Sequence, residues 1–97
     1  MRYFVDIDNT ICVTEGSDYD NSIPMFERID YVNDLYDAGN YIVYWTARGQ
    51  NSGIDWTKET KKQLELWGCK YHELRMNKPS FDIFIDDKAF NSEVFFK

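Results

Sequence analysis

The stretch RYFVDIDNT, residues 2–10, decides how the whole chain is interpreted. Its apolar run ends in two acids, which is typical of a short strand that delivers its last side chains to a site, and we expect a strand over residues 2–8. Residues two apart on a strand share a face, so Asp6 and Asp8 should lie on one side. Because two neighbouring carboxylates repel each other, a hard cation, Lys78 or both should lie beside them.

The rest of the chain alternates between helical and strand-like patterns. Apolar residues at three- and four-residue intervals predict a helix over residues 24–38 that starts at Pro24. The other predicted elements are a buried strand over 40–46, a helix over 54–67, and short strands within 69–75, over 81–86 and over 94–96. This order predicts one α/β domain over residues 1–97 with a mainly parallel sheet and right-handed crossovers.

Chemically reactive side chains lie at the ends of three of these strands. They lie in the segments 6–10, 46–48 and 86–88. In open parallel sheets, ligands bind outside the carboxyl ends of the strands, so we expect the three segments to meet at one edge. Four carboxylates with few neutralising bases at that edge indicate a magnesium site, since Mg²⁺ binds carboxylates, waters and phosphate oxygens.

Composition excludes several classes of protein. The 97 residues carry 17 acidic and 11 basic side chains, a net charge of −6, which argues against nucleic-acid coating and against docking on anionic lipid. We expect no transmembrane helix and no signal peptide, and therefore a cytoplasmic protein. Cys12 and Cys69 lack metal or redox spacing and should be reduced. No EF-hand loop, Walker loop, dinucleotide fingerprint or zinc spacing is present.

Four motifs in order carry a resemblance to a known family. They are the DIDNT stretch at 6–10, Thr46 after an apolar run, Lys78, and the acid pair Asp86 and Asp87. This set resembles the haloacid dehalogenase-like (HAD) superfamily of phosphatases. The stretches WTARG (45–49) and IDDK (85–88) are similar to its small bacterial capsule-biosynthesis phosphatases.

The resemblance implies a three-layer α/β/α Rossmann-like fold, here without a cap domain. Members of the superfamily often insert a cap after the first or the second motif. Residues 11–23 are only long enough for a loop, and residues 47–77 for a helix and a short strand. We therefore expect an open site.

The resemblance also implies a covalent mechanism. Asp6 would attack the phosphorus and form an aspartyl-phosphate, while Asp8 would serve as general acid and then general base. The Thr46 hydroxyl would bond a phosphoryl oxygen, and Lys78 would neutralise phosphate charge.

The implied metal and substrate contacts involve further residues. Mg²⁺ would be held by Asp6, the backbone carbonyl of Asp8, and Asp86 or Asp87. Substrate-binding positions would be Thr10, Ala47 and Arg48. For Arg48, two interpretations remain open: it forks onto a second anionic group of the substrate, or it forms a surface salt bridge.

The sequence thus predicts a Mg²⁺-dependent phosphomonoesterase that acts on a sugar phosphate or similar metabolite, as in polysaccharide biosynthesis. Alternatives are a nucleic-acid 3′-phosphatase, a phospho-accepting signalling domain and a non-catalytic binding domain. The expected partner is a small phosphorylated substrate, with no membrane partner, and the acidic balance argues against nucleic acid. The high aromatic content and the missing cap make homo-oligomers worth testing.

Overall fold

A parallel three-stranded sheet organises the protein, and a computed structural model describes all 97 residues. In chain order the elements are β1 (Arg2–Val5), β2 (Cys12–Val13), β3 (Ile23–Pro24), α1 (Phe26–Asp37), β4 (Tyr41–Trp45), α2 (Thr57–Leu66), β5 (Glu73–Arg75) and α3 (Ser92–Phe95). The sheet order is β1-β4-β5, and β2 pairs antiparallel with β3 in a separate small ribbon. The structure is therefore α/β, as the sequence predicts.

Strand β4 lies at the centre of the sheet because its side chains are apolar on both faces. Ile42, Val43 and Tyr44 are fully buried. It pairs in parallel with β1, with Arg2 opposite Tyr41, and on its other edge with β5. The continuous apolar run predicted this position, since strands of parallel sheets are buried on both sides.

The two long helices contribute to one core on one face of the sheet. Ile42 and Tyr44 of β4 share a cluster with Ile29 of α1 and with Leu64 of α2. This arrangement follows from topology: both crossovers, β1 to β4 and β4 to β5, advance in the same direction along the sheet. Right-handed crossovers in one direction place both helices on the same side.

The expected second helical layer is not formed by α1, α2 or α3. The short helix α3 also packs on the side that carries α1, where the Phe95 ring lies 5.4 Å from that of Tyr31. A helical layer on the opposite face of the sheet would need a right-handed crossover in the opposite direction, to a strand on the far side of β1. The chain therefore has two layers, one sheet and one layer of helices.

The predicted strands over 81–86 and 94–96 are wrong for the single chain. Residues 81–86 form no strand and are all exposed, and residues 94–96 belong to α3 and its C-terminal cap. The alternation of Phe81, Ile83 and Ile85 with polar neighbours does indicate a strand, but a strand needs a reachable partner. Only residues 76–80 separate β5 from this segment, whereas a parallel crossover takes a dozen residues or more.

The remaining differences concern element ends. Strand β1 stops at Val5 rather than at residue 8, and α1 begins at Phe26, because Pro24 pairs within β3. The predicted loop over 11–23 contains the β2 strand and a 3-10 turn at Tyr19–Asn21. The longest helix has 12 residues, and none of the helices combines the length and apolar character that crossing a bilayer requires.

A buried tyrosine offers a direct test of this core. The Tyr44 hydroxyl is buried beside the Cys69 thiol without a hydrogen bond of good geometry, and burial raises its pKa. We predict that Tyr44→Phe raises the free energy of unfolding by about 1 kcal/mol, because it removes an unsatisfied polar atom. Urea denaturation measures this change.

Tyr41→Phe is the matched control. It removes the same atom from an exposed tyrosine whose hydroxyl donates to Glu73 at 2.7 Å. This variant should lose stability slightly rather than gain it. A Tyr44→Phe protein less stable than the wild type would contradict the assignment of an unpaired hydroxyl.

Candidate active site

A cleft of about 250 Å³ opens at the carboxyl ends of β1 and β4. The residues that line it are Asp6, Asp8, Gly16, Tyr19, Thr46, Ala47, Arg48, Asn51, Lys78, Pro79, Ser80 and Phe81. Six of the predicted site residues are among them. The sheet edge therefore brings together predicted site residues that lie up to 72 positions apart in the sequence, from Asp6 to Lys78.

A tight turn after β1 places the two acids of the first motif. The buried Ile7 has a carbonyl that accepts from the amides of Thr10 at 3.1 Å and Ile11 at 3.0 Å. Asn9 adopts a left-handed conformation with φ 61°, which asparagine tolerates better than most residues. The turn, rather than a continuing strand, is what directs both Asp6 and Asp8 into the cleft.

Asp6 lies between a cation and a hydroxyl. The Lys78 ammonium is 3.4 Å from Oδ1, and the Thr10 hydroxyl donates to Oδ2 at 3.2 Å. Burial raises the pKa of Asp6, and the positive charge of Lys78 lowers it by less, so the net shift is upward. The result is a partly desolvated carboxylate held in one orientation. Thr10 thus contacts Asp6 directly.

Asp8 is held by a two-pronged ion pair with Arg48. The arginine donates from Nε to Oδ2 at 2.9 Å and from Nη2 to Oδ1 at 2.8 Å. The Thr14 hydroxyl adds a third hydrogen bond, to Oδ1, at 2.7 Å. Such a bidentate pair fixes the plane of the carboxylate as well as its position.

Arg48 forms an ion pair that is buried rather than at the surface. Its side chain is fully buried, so it forms no surface salt bridge, and its guanidinium fork is occupied by Asp8 rather than open to a substrate. The third nitrogen, Nη1, donates to Thr60 at 3.1 Å and to Gln63 at 2.7 Å. Arg48 therefore connects the first-motif turn to helix α2.

Thr46 and Lys78 are joined through the main chain. The Lys78 amide donates to the Thr46 carbonyl at 3.1 Å, and the Thr46 hydroxyl accepts from the Arg48 amide at 3.2 Å. Gly49 follows with φ 83°, and a Cβ there would overlap the Ile54 carbonyl, so only glycine fits. These contacts hold the end of β4 and the Lys78 backbone together at the carboxyl edge of the sheet.

Asp86 and Asp87 do not join this cleft within one chain. Both are exposed, and Asp86 Oδ1 instead accepts from the Lys88 amide at 2.7 Å. The structure contains no group of three or more acidic, histidine or cysteine side chains suited to a metal ion. The residues of a single chain therefore do not fit the predicted four-acid magnesium site, because the strand expected to carry Asp86 does not pair.

Sequence reasoning missed the polar groups that surround the ion pair. Ser22 lies 2.6 Å from the Thr14 hydroxyl, the Arg48 guanidinium stacks 4.7 Å from the Tyr19 ring centre, and Gln63 donates to the Tyr19 carbonyl at 2.5 Å. The one available signal was the weak apolar stripe of the second helix, in which Thr60 and Gln63 occupy inward positions.

Two cysteines and the histidine have no place in this cleft. Burial raises the pKa of the Cys12 thiol and raises that of Cys69 to about 11, and both are free. The His72 imidazole accepts from the Ile42 amide at 3.0 Å and so extends the pairing beside β4. None of the three lines the cleft, although the Cys12 Sγ lies 3.8 Å from Asp8 Oδ1.

Comparison with known proteins supports the fold. No protein-family model matches the chain, and no curated protein matches it either. The crystal structure of an MCSG target from Vibrio cholerae superposes with a TM-score of 0.89 at 25% identity. The match covers 98% of this chain and 86% of that one. The chain is similar to that protein in architecture.

The buried ion pair yields a stability prediction. Arg48→Met leaves Asp8 without its counter-ion and Gln63 without its donor, so we expect a loss of about 3–5 kcal/mol in the free energy of unfolding. Arg48→Lys should lose less, because it keeps the charge but not the fork. Chemical denaturation measures both.

The control is Lys70→Met, which breaks the exposed pair between Lys70 and Asp37, 2.9 Å apart. That change should cost less than about 1 kcal/mol. If Arg48→Met and Lys70→Met lowered the free energy of unfolding equally, the buried ion pair of Arg48 would not be a major source of stability.

The raised pKa of Asp6 yields a pH prediction. A carboxyl whose folded-state pKa exceeds its unfolded value stabilises the protein when protonated, and that stability is lost as pH rises through the folded pKa. We therefore expect Asp6→Asn to melt at a higher temperature than the wild type at pH 7. The difference should shrink as the pH falls toward 4, as calorimetry would show.

Asp20→Asn serves as the control, since it removes one exposed negative charge and no buried one. Its melting temperature should follow that of the wild type at both pH values. An Asp6→Asn protein that is less stable than the wild type at pH 7 would show that the Lys78 pair outweighs the burial cost.

Proposed function

We propose that the protein is a phosphomonoesterase that works through an aspartyl-phosphate, with the HAD-like fold that the motifs imply. The observation that carries the proposal is the setting of Asp6, a partly desolvated carboxylate beside the Lys78 ammonium in an open cleft. A carboxylate nucleophile needs an adjacent positive charge to approach an anionic phosphate. Asp8 lines the same cleft, as an acid–base partner must.

In the first half of the reaction, an Asp6 oxygen attacks the phosphorus and the bond to the leaving oxygen breaks. Asp8, in its protonated form, gives its proton to that oxygen, which departs as an alcohol. The Lys78 ammonium and the Thr46 hydroxyl contact the phosphoryl oxygens and stabilise their charge in the transition state.

In the second half, Asp8 takes a proton from a water molecule, which attacks the phosphorus and releases inorganic phosphate from Asp6. Asp8 must give up one of the hydrogen bonds that it accepts from Arg48 or Thr14. In its place, Asp8 bonds first to the leaving oxygen and then to the water molecule. Arg48 is a positioning residue here, since it acts through Asp8. Ala47, in the cleft wall, and Thr10, bonded to Asp6, are proposed to shape the phosphate site.

Mg²⁺ is part of this proposal as the cofactor that the resemblance implies. It would shield the repulsion between the Asp6 carboxylate and the substrate phosphate. Asp6 and Asp8 are the only acidic residues that one chain places in the cleft, fewer than the predicted set of four. The substrate class proposed is a small sugar phosphate or related metabolite, since the cleft is open and the chain carries a net charge of −6.

The test is hydrolysis of p-nitrophenyl phosphate with and without Mg²⁺. The wild type should turn over only with the metal, and Asp6→Asn should lose at least about 1,000-fold in kcat because the nucleophile is gone. Asp20→Asn, the same change at an exposed position, should retain wild-type activity. Comparable activity in the Asp6→Asn and wild-type proteins would rule out Asp6 as the nucleophile.

A substrate panel then tests the proposed class. Sugar phosphates, nucleotides and 3′-phosphorylated oligonucleotides should differ in kcat/KM, with the sugar phosphates highest. A preference for oligonucleotides, with a KM that rises steeply with salt, would favour the nucleic-acid alternative instead.

A further inference from the structure

Residues 79–91, which we call the arm, present an apolar strand sequence to solvent. All ten residues from 81 to 90 are exposed, and residues 79–90 make no backbone–backbone hydrogen bond. The large apolar side chains involved, with their exposed fractions, are Phe81 45%, Ile83 78%, Phe84 45%, Ile85 93% and Phe90 71%. Exposed apolar segments with free backbone groups mark interaction sites.

Both ends of the arm are fixed to the body of the protein. At the first end, the Lys78 amide bonds the Thr46 carbonyl at 3.1 Å. At the second end, Glu93 pairs with Arg28 at 3.0 Å. The arm is therefore a loop held at two points, and its exposure belongs to the folded protein.

The arm cannot complete the sheet of its own chain while these ends are fixed. Strand β1 forms one edge of the sheet, and β5, which precedes the arm, forms the opposite edge. Residues 76–80 would have to cross the whole sheet, although parallel crossovers take a dozen residues or more. Lys78, within that connection, is also anchored at the carboxyl edge by Asp6.

The free edge of β1 matches the arm in sequence. Both runs end in an acid, and aligning Asp86 with Asp6 sets the register. Asp82 then lies opposite Arg2, a pair of opposite charges, and Phe84 lies beside Phe4 on the same face. Strand β1 pairs only with β4, so its other edge has unpaired backbone groups that a second strand can use.

We propose that the arm of one copy pairs with β1 of a second copy, and the reverse, in a two-fold symmetric dimer. A second copy always offers this edge at equal concentration, and a reciprocal exchange closes the assembly at two chains. In the register above, the partner's Asp86 and the partner's Asp87 enter the cleft beside Asp6 and Asp8. The acidic set that one chain lacks is then assembled from two, a consequence that rests on the proposed function.

Sedimentation tests the dimer without any reference to catalysis. The wild type should sediment at twice the 11.6 kDa of one chain. Ile85→Lys, at the most exposed apolar position of the arm, should sediment as a monomer, because a charge there opposes burial. Leu66→Lys is the matched control, since Leu66 is 82% exposed on α2 and should leave the dimer intact. A monomeric wild type or a dimeric Ile85→Lys protein would overturn the proposal.

Mixing two inactive variants tests the shared site. Asp6→Asn and Asp86→Asn should each be inactive alone. After co-refolding, half of the dimers are mixed and one of their two sites is intact, so about one quarter of wild-type activity should return. No recovery, with an active wild type, would place Asp86 in the site of its own chain and overturn the exchange. If the wild type were inactive, the proposed function would be wrong, and the sedimentation experiment alone would test the dimer.

Discussion

The rest of the structure depends on the buried ion pair between Arg48 and Asp8, because Arg48 connects three parts of the chain. Asp8 lies in the turn after β1, Arg48 follows β4, and the remaining guanidinium nitrogen reaches Thr60 and Gln63 on α2. Because the arginine is fully buried, every one of its donors needs a fixed acceptor, and this requirement sets where α2 can lie. The same contacts fix the orientation of the carboxylate that is proposed to move protons.

The direction of the crossovers is the second constraint. Two right-handed connections in one direction place α1 and α2 on the same face and leave β1 as an open edge. After β5 the connection formed by residues 76–80 is too short to return across the sheet, which leaves the strand-like arm exposed. The open edge of β1 and the unpaired arm are thus two results of one topology. In the proposed dimer, the arm of each copy pairs with β1 of the other, so neither stays unpaired.

The elements with strong local patterns were predictable from the sequence. The apolar run of β4 and the periodicity of α1 gave positions within two residues of those observed. The partner of a strand is not a local property, so the alternation in residues 81–86 indicated a strand but not which chain it pairs with. The meeting of Asp6 and Thr46 followed from their places at strand ends, whereas Lys78 was expected there as a counter-charge to the acids and from the resemblance. The contact of Arg48 with Asp8, 40 residues away, depends on packing that no local pattern encodes.

A crystal structure of the protein with Mg²⁺ and beryllium fluoride, a mimic of a phosphoryl group, tests whether Asp6 is the residue that accepts the phosphoryl group. We expect beryllium fluoride on an Asp6 oxygen, within hydrogen-bond distance of Lys78 and the Thr46 hydroxyl, with Arg48 still bonded to Asp8. Beryllium fluoride attached to another acid, or a cleft that binds none under these conditions, would contradict it.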